Sequence, residues 1–163
     1  MDELLLGARL LLLLSIANLS PILLFSLSGR RPGARLDGGL CFFDRRPLLG
    51  PSKTVRGVAA AVAAAALVAP LLGFTPYLGA VVGGCSMLGD ALSSFCKRRL
   101  GLPASAKATG LDQIPEALVP LLVVADSLSL SMIQIAAITL AFFALEIPTS
   151  WLLFRMGLRD HPH

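Results

Sequence analysis

Five apolar runs, at residues 4–27, 58–72, 77–96, 114–125 and 128–154, dominate this chain and restrict it to one class of fold. With 55% of its 163 residues hydrophobic, it carries more apolar surface than a soluble domain of this size can bury. Backbone groups in hydrocarbon must be satisfied within a segment or a closed barrel, so runs of this length predict an all-α, polytopic membrane protein. The second and fourth runs fall short of the ~20 residues that span a bilayer, so they extend into flanking polar segments or lie shielded by neighbours. A single helix over residues 114–154 would be about 60 Å long, twice the membrane core. Two helices with a tight turn at Asp126 and Ser127 are therefore expected, which makes five transmembrane helices in one domain, residues 1–163. The first run opens on Asp2 and Glu3 and is followed by no small-residue cleavage site, so it reads as a retained span. Asn18 and Pro21 stand deep in it, where an amide can bond across a helix bundle.

The charges divide the chain into two sides. Five spans place the loops 28–57 and 97–113 and the C-terminus together, and that side holds thirteen of the fourteen Lys and Arg residues, Arg9 being the exception. By the positive-inside rule that side is cytoplasmic and the N-terminus is outside. A multi-pass protein of the cell membrane with a site reached from the cytosol is expected. A pore would need polar groups on both sides and along the path, and an odd number of spans offers no inverted repeat of the kind transporters show. His161 and His163 are the only histidines, and Cys41, Cys85 and Cys96 have no metal-binding spacing, so neither a zinc site nor a histidine-based triad is expected.

The reactive side chains cluster in three places. In the block Gly89-Asp90-Ala91-Leu92-Ser93-Ser94-Phe95-Cys96-Lys97-Arg98-Arg99, Asp90, Ser93 or Ser94 and Lys97 recur at helical steps and share a face. An acid in such a run costs roughly 2.5–3.5 kcal/mol on insertion scales, so it has a function or a partner, and Lys97 is one available partner. Gly50-Pro51-Ser52-Lys53-Thr54 reads as a helix start with Pro51 in the first turn, which would set Lys53, Arg56 and Gly57 on one face. Free N–H groups there, with Lys and Arg, suit phosphate oxygens; equally, such a segment anchors to lipid headgroups. Asp90 and Asp112 are the acids best placed for a divalent metal, Mg²⁺. Asp37 and Asp44 lie among arginines and are explained as well by ion pairing, while the intramembrane Glu116 and Glu146 are expected to have partners in the bundle. Cations for a polyphosphate, acids for Mg²⁺ and apolar helices beside both suit phosphoryl or nucleotidyl transfer to a lipid.

The order Asn18…Pro21, Asp37, Gly50-Pro51-Ser52-Lys53-Thr54-Val55-Arg56-Gly57, Gly89-Asp90…Ser94-Phe95-Cys96-Lys97-Arg98-Arg99-Leu100-Gly101 and Asp112-Gln113 resembles the CDP-archaeol synthase family, relatives of bacterial CDP-diglyceride synthases. The resemblance implies a five-helix enzyme that moves CMP from CTP to the phosphate of a geranylgeranyl ether glycerol lipid and releases pyrophosphate. It implies Asp90, Lys97 and Asp112 as catalytic residues, with Mg²⁺ on Asp90 and Asp112. It further implies Gly50, Lys53, Thr54, Arg56 and Gly57 for the nucleotide, and Lys97 with Arg98 or Arg99 for the lipid phosphate. CTP, the ether lipid and the bilayer are the expected partners, and no nucleic acid is. Two rivals carry other expectations. A CDP-alcohol phosphotransferase would continue Asp37-Gly38 into an Ala-Arg pair and further spaced acids, which are missing. A basic-loop anchor or small transporter would not bind CTP.

Overall fold

The computed structural model describes residues 3–29, 31, 33–103, 108 and 110–157. Asp2, Arg30, Lys107, Arg159, His161 and His163, on which part of the sequence reading falls, lie outside the described residues. Those described form five α-helices, α1 (Glu3–Leu27), α2 (Val55–Val68), α3 (Pro76–Arg99), α4 (Gln113–Leu128) and α5 (Met132–Arg155). A short 3-10 turn, Ala69–Leu72, extends α2. The four segments Glu3–Leu27, Val55–Leu72, Pro76–Arg99 and Met132–Arg155 are long and apolar enough to cross a membrane. The fifth helix, α4, has 16 residues, about 24 Å at 1.5 Å each, shorter than a ~30 Å hydrocarbon core.

Helix α3 is the centre of the bundle, packed against α1, α2 and α4. It reaches two of these neighbours through glycine. A Cβ on Gly79 would stand 2.4 Å from the Ala65 carbonyl oxygen, and one on Gly83 would stand 2.7 Å from that of Ala61. The alanine-rich α2 therefore lies with its backbone almost on that of α3, the close approach that small residues permit between helices in lipid. On another face a Cβ on Gly89 would come within 2.1 Å of the Pro115 carbonyl oxygen, so the first turn of α4 sits directly on α3. Leu10, Leu13, Leu14, Val82, Leu121 and Phe142 fill the remaining interior. Asn18 crosses the bundle as expected, its amide donating to Ser86 Oγ at 2.9 Å.

Two boundaries differ from the sequence reading. Helix α2 starts at Val55, so Pro51 lies in a turn ahead of it and Lys53 outside it. The cause is pairing. Leu36 N–H donates to the Lys53 carbonyl and Val55 N–H to that of Ala34, which holds residues 53–55 extended until the Thr54 hydroxyl caps the helix by accepting from Gly57 N–H. The turn between α4 and α5 falls at Ser129–Ser131, not at Asp126 and Ser127. Ser129 adopts a left-handed conformation (φ 52°), Leu130 N–H returns to the Ala125 carbonyl, and Ser131 forms a capping box with Gln134.

Candidate active site

The end of α3, the start of α4 and the 33–57 loop converge on one polar region. Lys53, carried by the extended residues before α2, forms an ion pair and hydrogen bond with Asp90. Two turns along α3, Lys97 Nζ lies 2.6 Å from Asp112, the residue just before α4. Asp90 and Lys97 thus share a face as their spacing predicts, yet each is neutralised by a residue from another element. Because Gly89 admits α4 so closely, the Glu116 carboxyl comes within hydrogen-bond reach of Asp90, and the field of Glu146 reaches Glu116 in turn. The bundle partner expected for Glu116 is therefore Asp90 itself.

The nucleotide-binding candidates are held in several ways. Gly50 is buried and in a left-handed conformation (φ 103°), and its N–H is committed to Asp37. Thr54 and Gly57 bond to one another as the helix cap, and Arg56 is exposed at the start of α2. Among the described residues Asp37 has no ion pair with an arginine. Its two oxygens accept from the N–H groups of Gly39 (2.9 Å), Leu49 (3.0 Å) and Gly50 (3.0 Å), which fastens both ends of the loop. Burial raises the Asp37 carboxyl, and the N–H groups of Gly50, Gly39 and Leu49 outweigh it, leaving the group below its ordinary 3.8. A depressed carboxylate contributes stability that is complete above the unfolded value and is lost as pH falls through the folded one. Protection of the Leu49 and Gly50 amides from hydrogen exchange is expected to be unaffected by Asp37 protonation at neutral pH and to fall below 3.8, and Asp37→Ala is expected to abolish it at neutral pH.

Lys97, Arg98 and Arg99, which close α3, have separate partners. The Arg99 guanidinium donates to Asp44 (2.7 Å) and to the carbonyls of Arg46 (3.3 Å) and Pro47 (2.7 Å), and stacks on the Phe42 and Phe95 rings. Arg46 returns the contact by donating to the carbonyls of Arg98 (3.2 Å) and Arg99 (2.8 Å), capping the C-terminus of α3. Asp44 is thus ion-paired, as expected, and Arg99 is a strap between loop and helix. Arg98 is buried, donates to the Pro103 carbonyl (2.9 Å), and among the described residues leaves its Nε without a hydrogen bond beside a cavity of about 220 Å³ formed with Arg46, Pro47, Gly101 and Leu102. The Arg46 cap escapes a motif reading because its carbonyl partners lie more than fifty residues away, and the motif that contains Asp37 does not reveal its amide partners.

The family model described as CarS-like, CDP-archaeol synthase, matches residues 72–163. A CDP-archaeol synthase of Sulfurisphaera tokodaii is 33% identical over 136 residues, which is 80% of this chain and 82% of that protein. This chain belongs to the CDP-archaeol synthase family. A family member from Pyrobaculum calidifontis is 32% identical over 156 residues, covering 90% of each chain. Among solved structures, an intramembrane enzyme for archaeal membrane lipid biosynthesis matches with a TM-score of 0.66 and 30% identity, over 86% of this chain and 90% of that one. The CDP-archaeol synthase likeness thus covers most of the chain.

The acids suit a hard divalent cation. Among the described residues no group of three or more His, Cys, Asp or Glu side chains is arranged to hold a metal. Glu116 is buried beside the half-buried Asp90, and two carboxyls so placed share a proton or a cation, the role the Lys53 ammonium fills at Asp90 in this structure. The donors are all oxygen, the chemistry Mg²⁺ selects.

Proposed function

We propose that this chain moves the cytidylyl group of CTP to the phosphate of a geranylgeranyl ether glycerol lipid, forming a CDP-activated lipid and pyrophosphate. Its family makes it an enzyme, a transferase of membrane lipid biosynthesis. The observation that carries the substrate assignment is the pair of lysine–aspartate contacts, Lys53–Asp90 and Lys97–Asp112, set two turns apart along α3 beside an apolar bundle. A nucleotidyl transfer needs two anionic phosphates brought together and little covalent help from the protein.

In this reading Lys53 and Arg56 hold the β- and γ-phosphates. Lys97 and Arg98, the latter beside its cavity, receive the lipid phosphate. Arg99 serves that phosphate by holding the loop that frames the cavity. A lipid phosphate oxygen attacks the α-phosphorus in line, the new P–O bond forms, and the bond to the β-phosphate oxygen breaks with its electron pair leaving on pyrophosphate. The attacking phosphate is already an anion, so no proton has to be removed from it. Mg²⁺ held by Asp90 and Asp112, with Glu116 beside them, would supply charge neutralisation of the phosphates. The single domain is placed in the cell membrane with α4 as its fifth span, completed by the polar residues before it. The N-terminus is outside and the site faces the cytoplasm, consistent with the distribution of Lys and Arg.

The test is incorporation of labelled CTP into the ether lipid phosphate by the purified protein with Mg²⁺. Label is expected in lipid with Mg²⁺ and none after chelation. No incorporation by a folded sample would return the basic loops to lipid anchoring. Lys97→Ala is expected to raise the KM for lipid about tenfold or more and to leave that for CTP nearly unchanged. The opposite split would exchange the roles of Lys53 and Lys97.

A further inference from the structure

The loop between α1 and α2 is polar in sequence, but it carries one apolar stretch, Leu40-Cys41-Phe42-Phe43. Residues 40–48 fold into a small hairpin in which Leu48 N–H donates to the Leu40 carbonyl and Phe42 N–H to that of Arg46, both at 2.9 Å. Phe43, at its turn, is 96% exposed and Leu40, at its base, 65% exposed, and Cys41 and Phe42 between them are exposed. A surface loop has no reason to present four such side chains to water.

The hairpin does not extend away from the bundle. Arg99 and Arg46 strap it to the last turn of α3, and the Phe42 ring meets Phe95 edge-on, centroids 5.4 Å apart. Phe95 lies four residues before the end of α3, about 6 Å inside it. Helix α3 has 24 residues, about 36 Å, so this level falls close to the boundary between hydrocarbon and headgroups. Along the helix Leu88, Leu92 and Cys96 form an exposed stripe at steps of four, and Phe95 borders it. Through the Phe42–Phe95 contact the hairpin is continuous with this exposed apolar stripe of α3. The exposed Arg45 and Arg46 flank the rings, as cations do where a protein meets phosphate headgroups.

We propose that the apolar edge of this hairpin, from Leu40 at its base to Phe43 at its turn, is inserted in the bilayer interface and acts as a membrane anchor for the loop that carries Lys53. Its partner is the lipid surface at the end of the bundle where α3 terminates. The anchor sets the height of the loop against the membrane, and so the level at which Lys53 meets Asp90. It rests on the chain spanning a membrane and not on the identity of either substrate.

The experiment uses tryptophan as a depth probe. Trp151 is the only tryptophan, so Trp151→Phe combined with Phe43→Trp places a single fluorophore at the tip. The full-length protein is reconstituted into phosphatidylcholine vesicles with one acyl chain brominated near the headgroup, or deep in the chain, and separately titrated with aqueous acrylamide. Strong quenching by the shallow bromines, weaker quenching by the deep ones and poor access to acrylamide are expected, with the same result for Leu40→Trp in the same background. Acrylamide access equal to that of a free tryptophan derivative, with no bromine quenching at either position, would overturn the proposal. Protection that appears only at high protein-to-lipid ratio would also overturn it, because a second copy of the chain would then be covering the tip.

Discussion

Asp90→Asn is expected to reduce transfer of label from CTP to lipid at least about a hundredfold, the scale of losing one electrostatic element at a reacting centre. Asparagine keeps the shape of the side chain and removes its charge. Lys53 would then lose its partner in a largely enclosed place, and a cation could no longer be held opposite Glu116. The loss therefore has two components, one from charge and one from the misplaced lysine. Pairing Asp90→Asn with Lys53→Met separates them. Exchanging both members of an enclosed ion pair for neutral groups is often neutral for stability, whereas removing one is costly. The double variant is expected to recover the thermal stability lost by the single one, measured in detergent, and to recover no activity. Activity in the single variant equal to wild type would remove Asp90 from the reaction.

The second large effect is structural. Gly89→Ala places a methyl group 2.1 Å from the Pro115 carbonyl oxygen, and no rotamer can relieve a clash between Cβ and backbone. Helix α4 must move, at a cost of about 1–3 kcal/mol or more by the measure of overpacked interiors. Movement separates Glu116 from Asp90 and draws Asp112 from Lys97, so activity falls together with the unfolding temperature. Gly84→Ala is the control. A Cβ there meets only Val62 Cγ2 at 3.8 Å, an ordinary contact, and alanine is about 1 kcal/mol better than glycine in a helix. It is expected to leave activity unchanged and stability unchanged or slightly raised. Equal behaviour of the two variants would show that the close approach of α4 is not what holds the site together.

Helical spacing made part of this arrangement legible in the sequence. Asp90 and Lys97 lie on one face because seven residues are nearly two turns, and Asn18 reaches across the bundle because an amide in lipid needs a partner. The all-helical class follows from the same requirement applied to the backbone. Spacing does not reveal partners that topology supplies. Lys53 meets Asp90 across 37 residues and Arg99 meets Asp44 across 55, with a loop of irregular conformation deciding both encounters. Asp37 was open to an ion-pair reading because its actual partners are amides, which every residue but proline carries and which therefore leave no mark in a sequence. The start of α2 was placed early for a related reason. Pro51 suits a first helical turn, but the strand-like pairing of residues 53–55 with 34–36 takes precedence over that local preference.

The glycines of α3 have a consequence for how the enzyme meets heat. At Gly79, Gly83 and Gly89 the helix touches its neighbours main chain to main chain. Side chains elsewhere change rotamer on picosecond to nanosecond times, and warming makes them do so more often. A contact between backbones has no rotamer to change. The scaffold beneath Asp90 is consequently insulated from the loosening of side chains that precedes melting, and it persists until the helices themselves part.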